Sequence, residues 1–242
     1  MIRLSDRLAA IAGKVNKGET MADIGTDHGF LPFYLVENEI SPKVILCDIS
    51  KGSLAKAKSN MIYLSDDSMA EARLGDGLAP LKPGEVDDIV IAGLGSTTMT
   101  GMLADDPALS KSFKKYIMQP RKDPGELRWF LYNNGFVITD ETLVVEGKFI
   151  CEIITASPVD MLTDGRDCFA GYDIPGDGPL SIRWEVPEYY AGRRDDLSRE
   201  YVSRKLEREK QILASKIERS GGRNKETTEE NIRYLEDIAG RM

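Results

Sequence analysis

The sequence contains little histidine and little cysteine, and both shortages limit the chemistry it can support. Its 242 residues include one histidine and three cysteines, which stand far apart at positions 47, 151 and 168. This spacing forms no CxxC pair, which argues against a zinc site and against a disulfide framework. We therefore expect no metal centre, and reduced thiols of the kind found in the cytoplasm.

Long apolar runs are also absent. No stretch reaches the roughly 20 apolar residues of a membrane helix, and residues 1–7 lack the apolar core of a secretory signal. We expect a cytoplasmic protein without a membrane anchor. The sequence leaves the oligomeric state open, and a monomer is the simplest expectation.

Positive charge is in deficit, with 32 lysines and arginines against 40 acidic residues and a net charge of −8. This balance is unfavourable for a nucleic-acid-binding protein, whose affinity depends on basic side chains that meet phosphates. The deficit is uneven, because residues 193–242 contain 13 basic and 11 acidic side chains. Composition alone therefore neither indicates nor excludes an RNA ligand.

Short apolar strands alternate with helical segments through the first 157 residues. Strands are predicted near residues 21–24, 43–48, 72–76, 88–93 and 116–120. Helices are predicted after Ser5 or Asp6 and near residues 31–36, 51–60, 99–113 and 124–134. Such alternation favours an α/β fold with a doubly wound, mainly parallel sheet. The β-branched runs around Glu146-Gly147-Lys148 predict a hairpin at an antiparallel edge of that sheet.

The last third of the chain has a different pattern. Residues 158–192 are rich in proline and glycine, and we interpret them as a connecting segment. Residues 193–242 predict two helices that turn at Gly221-Gly222, and a capping box from Thr227 to Glu230 opens the second helix. The expected domains are residues 1–157, the connecting segment 158–192 and a helical hairpin over residues 193–242.

The turn after the first strand has the most informative chemistry. It runs Asp23-Ile24-Gly25-Thr26-Asp27-His28-Gly29. A dinucleotide fingerprint requires glycine where this chain has Asp27, because the backbone there approaches a pyrophosphate. A carboxylate repels pyrophosphate but suits a ligand that carries a sulfonium and an ammonium group. We therefore interpret the turn as a binding site for S-adenosylmethionine.

The residues that end the other strands agree with this ligand. Asp48 closes the second strand, where an acid accepts hydrogen bonds from ribose hydroxyls. Asp76 follows the third strand and can accept from an adenine amino group, with Gly77 leaving space for the ring. Ala92-Gly93-Leu94 ends the fourth strand, where small residues leave room for cofactor and acceptor to meet.

Four segments resemble the TrmK family of bacterial tRNA adenine-22 N1-methyltransferases. They are Met21-Ala22-Asp23-Ile24-Gly25-Thr26-Asp27-His28-Gly29-Phe30-Leu31-Pro32, Arg73-Leu74-Gly75-Asp76-Gly77-Leu78, Ile91-Ala92-Gly93-Leu94-Gly95 and Gln119-Pro120. The resemblance implies a class I methyltransferase domain of Rossmann-like fold, with S-adenosylmethionine as the donor and tRNA as the acceptor. It also implies a helical C-terminal hairpin.

The resemblance and the strand-end pattern together give a set of expected site residues. The cofactor-binding residues are Asp23, Gly25, Asp27, His28, Asp48, Ile49, Asp76, Gly77, Ala92, Gly93 and Leu94. The substrate-binding residues are Arg7, Gln119 and Pro120. Asp27 is the catalytic candidate, since a carboxylate stabilises the positive charge that methylation places on adenine.

Some alternatives remain open at this level. Asp27 could hold the cofactor instead of the acceptor, and the acceptor could be a small molecule or a protein. A third alternative is a binding module that keeps the fold without catalysis. The TrmK family usually has glycine at the position of Ser96, so this serine adds a side chain where the target base is expected to approach. The family's usual tyrosine is also replaced in the segment Ile150-Cys151.

Overall fold

The computed structural model describes residues 2–61, 64, 66–162, 165–220 and 225–242. The chain divides into two compact units, Met1–Cys168 and Phe169–Met242. Within the described ranges, no helix has the length and apolarity needed to cross a membrane.

The first unit is built on a seven-stranded sheet, which confirms the α/β expectation. The strand order is β3-β2-β1-β4-β5-β7-β6. The first five of these strands are parallel, whereas β7 is antiparallel to both β5 and β6. The strands are β1 Met21–Ile24, β2 Val44–Asp48, β3 Ala70–Leu74, β4 Asp88–Leu94, β5 Lys115–Pro120, β6 Phe136–Glu146 and β7 Phe149–Pro158.

Helices connect the parallel strands and flank the sheet. They are α1 Asp6–Ala12, α2 Phe30–Glu37, α3 Lys51–Met61, α4 Ser96–Asp105, α5 Pro107–Ser110 and α6 Pro124–Asn133. Ser5 caps α1, as the sequence predicts, by accepting a hydrogen bond from the Leu8 amide. The first four residues of both β2 and β4 are buried, as expected for strands covered on both faces.

Two local predictions were wrong. The single helix expected over residues 99–113 is two helices, because Pro107 begins a new one. Asp106 has an extended backbone and its carboxylate accepts from the Ala108 and Leu109 amides, which caps α5. Strand β3 also ends at Leu74, so Gly75 and Asp76 lie in the turn that follows it.

The second unit contains α7 Ile182–Glu185, α8 Asp196–Ser220 and α9 Glu226–Arg241. Residues 169–192, which the sequence analysis assigned to a connecting segment, belong to this unit because their aromatic rings pack on α8. The contacts run from Phe169 to Tyr189 and through Tyr190 to Tyr201, with ring centroids 5.2–5.4 Å apart.

The two C-terminal helices were expected, but the sequence pattern did not predict correctly where the second helix begins. Helix α9 begins at Glu226 with Lys225 as its N-cap residue, so Thr227 lies inside the helix and does not cap it. The turn expected at Gly221-Gly222 lies outside the described residues.

Candidate functional site

The carboxyl ends of the five parallel strands meet at one edge of the sheet. The register pairs Ile24 with Cys47, Asp48 with Leu74, and Leu94 with Pro120. The turns that follow these strands therefore lie side by side. Nearly all the candidate residues of the first strand-to-helix turn and of the later strand ends come together at this edge, which is where ligands bind in open α/β sheets.

Two glycines shape the turn after β1. Gly25 and Gly29 have φ values of +81° and +71°, a region that other residues adopt at a cost. A Cβ atom on Gly29 would lie 2.5 Å from the ring of Phe33. The amides of Gly25 and Thr26 both donate to the carbonyl of Cys47, at 2.9 and 3.1 Å, which fixes the turn against β2.

Asp23 on β1 and Asp48 on β2 lie on neighbouring strands beside this turn, since Asp23 pairs with Leu46, two residues before Asp48. Burial raises the pKa of the Asp23 carboxyl to about 6, and the negative charge of Asp48 adds to the rise, while the Thr26 hydroxyl opposes it. Arg7 also opposes it from a distance. An acidic pair of this kind favours a cation as its ligand, because a cation stabilises the ionised form of both groups.

The ends of β2 and β3 carry the next candidates. The Asp48 carboxylate accepts from the Ser50 amide at 2.6 Å through one of its oxygens. Ile49 beside it is 69% exposed. The Gly75 amide donates to the Asp48 carbonyl, and Asp76 follows with an exposed side chain. An acid, an exposed aliphatic side chain and a second acid therefore stand at the adjacent ends of β2 and β3.

Gly77 lies in the same turn after β3. Its φ is +50°, and an added Cβ would lie 2.9 Å from Met102 of α4. The turn after β3 therefore approaches α4 closely, which only a residue without a side chain allows.

The end of β4 is irregular and lies against the turn after β1. Gly93 has a φ of +77°, and the pairing with β5 shifts register between Ala92 and Leu94. The Leu94 side chain packs over Gly25, since an added Cβ there would be 3.5 Å from Leu94 Cδ1. The bulge therefore directs Leu94 towards the candidate cofactor turn.

The Ser96 side chain lies inside the protein. It is fully buried, and its hydroxyl donates to the Lys122 carbonyl at 2.9 Å. The Arg121 amide likewise donates to the Leu94 carbonyl at 2.8 Å. Together these bonds join the turn after β4 to the turn after β5. The side chain that Ser96 adds is therefore enclosed by these two turns and is not exposed to solvent.

The expected substrate residues Arg7 and Gln119 are joined directly. Arg7 Nη1 donates to Gln119 Oε1 at 3.0 Å, and Arg7 Nε donates to Glu146 Oε2 at 2.6 Å. Gln119 is 3% exposed and its amide nitrogen donates to the Pro120 carbonyl. Gln119 is thus enclosed and orients Arg7, whose side chain is 22% exposed at the surface of the site.

Asp27 and His28 lie at the outer side of the turn. The Asp27 carboxylate is 59% exposed, is paired with Lys56 Nζ at 3.0 Å and lies 3.2 Å from His28 Nε2. The His28 ring stacks on Phe30 with centroids 5.2 Å apart. Asp27 can act on a cationic group from this position if that group replaces Lys56.

Sequence reasoning missed several residues near the site. Glu146 and Lys56 belong to distant elements, and no local pattern marks them as partners of Arg7 and Asp27. The buried pairing of Arg128 with Glu141 and Glu152 has no local sequence signature either. In this cluster Arg128 Nε donates to Glu141 at 2.6 Å and Arg128 Nη2 donates to Glu152 at 2.8 Å, all of them buried.

Metal chemistry receives no support from the part of the chain that the structure describes. No group of three or more His, Cys, Asp or Glu side chains there could hold a metal ion. The candidate residues instead offer carboxylates, an arginine and small residues at the ends of parallel strands.

Comparison with known proteins gives a consistent result. Residues 4–154 match a family model described as a methyltransferase domain. Over 241 residues the chain is 29% identical to the tRNA (adenine(22)-N(1))-methyltransferase of Bacillus subtilis (strain 168), covering 100% of this chain and 94% of that protein.

Two solved structures share the fold across the whole chain. The crystal structure of the B. subtilis M1A22 tRNA methyltransferase TrmK is 25% identical, with a TM-score of 0.77 and coverage of 100% of this chain and 97% of that one. The structure of M. capricolum TrmK with S-adenosyl-homocysteine is 22% identical, with a TM-score of 0.79 and 98% coverage of both chains.

Proposed function

Because the chain belongs to the methyltransferase domain family, we propose that it transfers a methyl group from S-adenosylmethionine to N1 of an adenine in tRNA. The resemblance to the TrmK family is confirmed by a relative that aligns over the whole chain. We propose adenine 22 as the position, because it is the one in that relative's name. The observation that carries the proposal is the pair of carboxylates, Asp23 and Asp48, beside the first turn of the sheet edge.

The residues at this edge fit S-adenosylmethionine, which supplies a methyl group on a cationic sulfonium when it is bound. Asp23 would attract its positive charge, and Asp48 has one oxygen engaged by Ser50 and another free for ribose hydroxyls. Ile49 would contact the adenine ring of the cofactor, and Leu94 would contact the reacting centre. Asp76 would accept a hydrogen bond from the adenine amino group.

The acceptor requires orientation more than activation. N1 of neutral adenine carries an in-plane lone pair, so no base has to remove a proton before attack. The protein must hold the base out of its stack and align it with the methyl group. Arg7 is the proposed contact to the RNA, since Gln119 and Glu146 hold its guanidinium at the surface of the site.

Asp27 has two proposed roles, which one variant separates. As a catalytic residue it would stabilise the positive charge that develops on the adenine, and as a cofactor ligand it would hold the ammonium group. If Asp27→Asn lowers kcat and leaves the Kd for S-adenosylmethionine unchanged, the catalytic role is supported. A raised Kd with unchanged kcat at saturation supports the cofactor role.

The function is tested with unmodified tRNA transcripts and labelled S-adenosylmethionine. We expect label in the RNA, and a reverse-transcription stop at the modified adenine that is absent when the cofactor is omitted. Tight cofactor binding without label in any transcript would contradict the proposal and favour another acceptor or a binding module.

We propose that residues 1–157 form the cofactor domain, and we also propose that the enzyme acts as a monomer. Light scattering of the purified protein tests the second point. We also propose that the enzyme acts in the cytoplasm, where tRNA is found.

A further inference from the structure

The tip of the β6–β7 hairpin lies at the same edge of the sheet as the candidate site. Strand β7 is antiparallel to β5 and to β6, so β6 runs parallel to β5. The end of β6 at Glu146 therefore lies at the edge where β5 ends at Pro120. The hairpin tip extends from this edge and borders the site.

The tip exposes an aromatic ring and a cation together. Phe149 is 62% exposed, and Val145 on the facing strand is 45% exposed. Most of the rest of β7 is buried, so this exposure is confined to the tip. Lys148 Nζ lies 5.3 Å from the centroid of the Phe149 ring. A flat apolar face beside an ammonium group matches a nucleobase and its phosphate.

The ring is also fixed to the candidate substrate residues. Phe149 and Glu146 are register partners across the hairpin, so their side chains lie on the same face of the sheet. Glu146 accepts from Arg7, which donates to Gln119. The exposed Phe149 ring is therefore the direct cross-strand neighbour of Glu146. Hydrogen bonds connect Glu146 through Arg7 to Gln119 at the end of β5.

We infer that Phe149 provides a stacking surface for an unpaired tRNA base next to the methylated adenine, with Lys148 contacting the adjacent phosphate. This inference rests on the proposed tRNA substrate. When the target adenine leaves its stack, its neighbour loses a stacking partner, and an aromatic ring replaces that partner. The chain has a net charge of −8, so a local cation at the site border is needed to offset repulsion of the RNA.

The test compares Phe149→Ala with Val159→Ala in the full-length protein. Val159 directly follows the other end of β7 and is 54% exposed, so it is a matched exposed apolar residue at the opposite edge of the sheet. We expect Phe149→Ala to raise the KM for unmodified tRNA about 10-fold. The Kd for S-adenosylmethionine and the melting temperature should stay at their wild-type values, and Val159→Ala should leave every quantity unchanged.

Two further variants make the result specific. Phe149→Trp should restore the KM for tRNA, because indole also stacks on bases. Lys148→Gln should reduce the slope of log affinity against log salt concentration by about one. A wild-type KM for Phe149→Ala would overturn the inference, and so would an equal loss in Phe149→Trp.

The outcomes also separate this inference from the proposed function. If the wild-type protein fails to methylate tRNA, the proposed function is wrong and the inference falls with it. If the wild-type protein methylates tRNA and Phe149→Ala does so with the same KM, only the stacking role is wrong.

Discussion

Arg7 and Gln119 are 112 positions apart in the sequence, and a hydrogen bond of 3.0 Å joins Arg7 Nη1 to Gln119 Oε1. The bond connects helix α1 to the end of β5. Glu146 holds the same guanidinium through its Nε atom at 2.6 Å. Although burial raises the pKa of Glu146, hydrogen bonds from Ser5 and Arg7 lower it below its usual value. The arginine is therefore held by an ionised carboxylate and an amide.

Replacing Arg7 should weaken the interaction with RNA selectively. Arg7→Ala removes the positive charge that Gln119 and Glu146 orient, so we expect a rise of roughly 10-fold in the KM for tRNA. The Kd for S-adenosylmethionine should change little. Arg3→Ala, which removes an exposed arginine from the preceding segment, is the matched control and should have a small effect. Equal effects of both variants would show that only net charge matters.

Asp48 should be essential for cofactor affinity. Asp48→Ala removes the carboxylate at the end of β2, and we expect the affinity for S-adenosylmethionine to fall by about one to two orders of magnitude, since a charged hydrogen bond contributes about 1.5–3 kcal/mol. Calorimetry measures the change directly. Asp105→Ala, on the exposed end of α4, should bind normally. Normal binding by Asp48→Ala would exclude the assigned site.

Much of the first unit could be predicted because its signals are local. An apolar run that ends in an acid or a glycine marks each of β1, β2 and β4, and the Gly147 turn marks the hairpin. Strand order follows less directly, but the expected parallel sheet brings all the strand ends to one edge. The turn from Asp23 to Gly29 and the acid Asp48 therefore could be placed together from the sequence.

The remainder depends on contacts between distant segments. The partners Glu146 and Lys56 have no local signature, because any exposed acid or lysine has the same sequence pattern. The direction of Ser96 depends on the Lys122 carbonyl, which is 26 residues away. The aromatic packing of Tyr189 and Tyr190 could not be predicted, because the prolines and glycines around them favour a loop interpretation.

Gly29 should be the least replaceable residue of the turn. Gly29→Ala forces an alanine into a φ of +71° and places its Cβ 2.5 Å from the Phe33 ring. We expect a loss of about 1–3 kcal/mol in the free energy of unfolding. Gly101→Ala is the matched control, because this helical glycine has open space around its Cβ position. The control should gain about 0.5–1 kcal/mol, and denaturant unfolding measures both changes.

The buried ion cluster should be sensitive to loss of its arginine. Arg128→Met leaves the carboxylates of Glu141 and Glu152 buried near each other, and we expect a loss of about 3–5 kcal/mol in the free energy of unfolding. Arg233→Met replaces an exposed arginine of α9 and should change stability by less than about 0.5 kcal/mol. Equal stability of the two variants would mean that the buried carboxylates find other compensation.

The buried Asp23 carboxyl makes cofactor binding depend on pH, and its ionised form lowers the stability of the folded protein. Its pKa is about 6 in the folded protein and 3.8 in its ordinary state. A carboxyl whose pKa is raised by folding binds its proton more tightly in the folded state. The folded state is therefore not penalised below pH 3.8, and the penalty grows as the pH rises and is complete above pH 6.

Asp23→Asn removes that penalty, so we expect it to stabilise the cofactor-free protein by about 1 kcal/mol more at pH 8 than at pH 5. Asp105→Asn is the control and should show no such difference, because its side chain is exposed at the end of α4.

The affinity for the cofactor should also depend on the ionisation of Asp23, but it should increase with pH, whereas the contribution of Asp23 to stability decreases with pH. A cationic ligand favours the ionised Asp23, so binding near pH 6 should release a proton and the affinity for S-adenosylmethionine should weaken as the pH falls below about 6. Calorimetry in buffers of different ionisation enthalpy counts the released protons. Asp23→Asn should bind weakly and lose the proton release, whereas a wild-type affinity that stays constant from pH 5 to pH 8 would show that Asp23 does not face the cofactor.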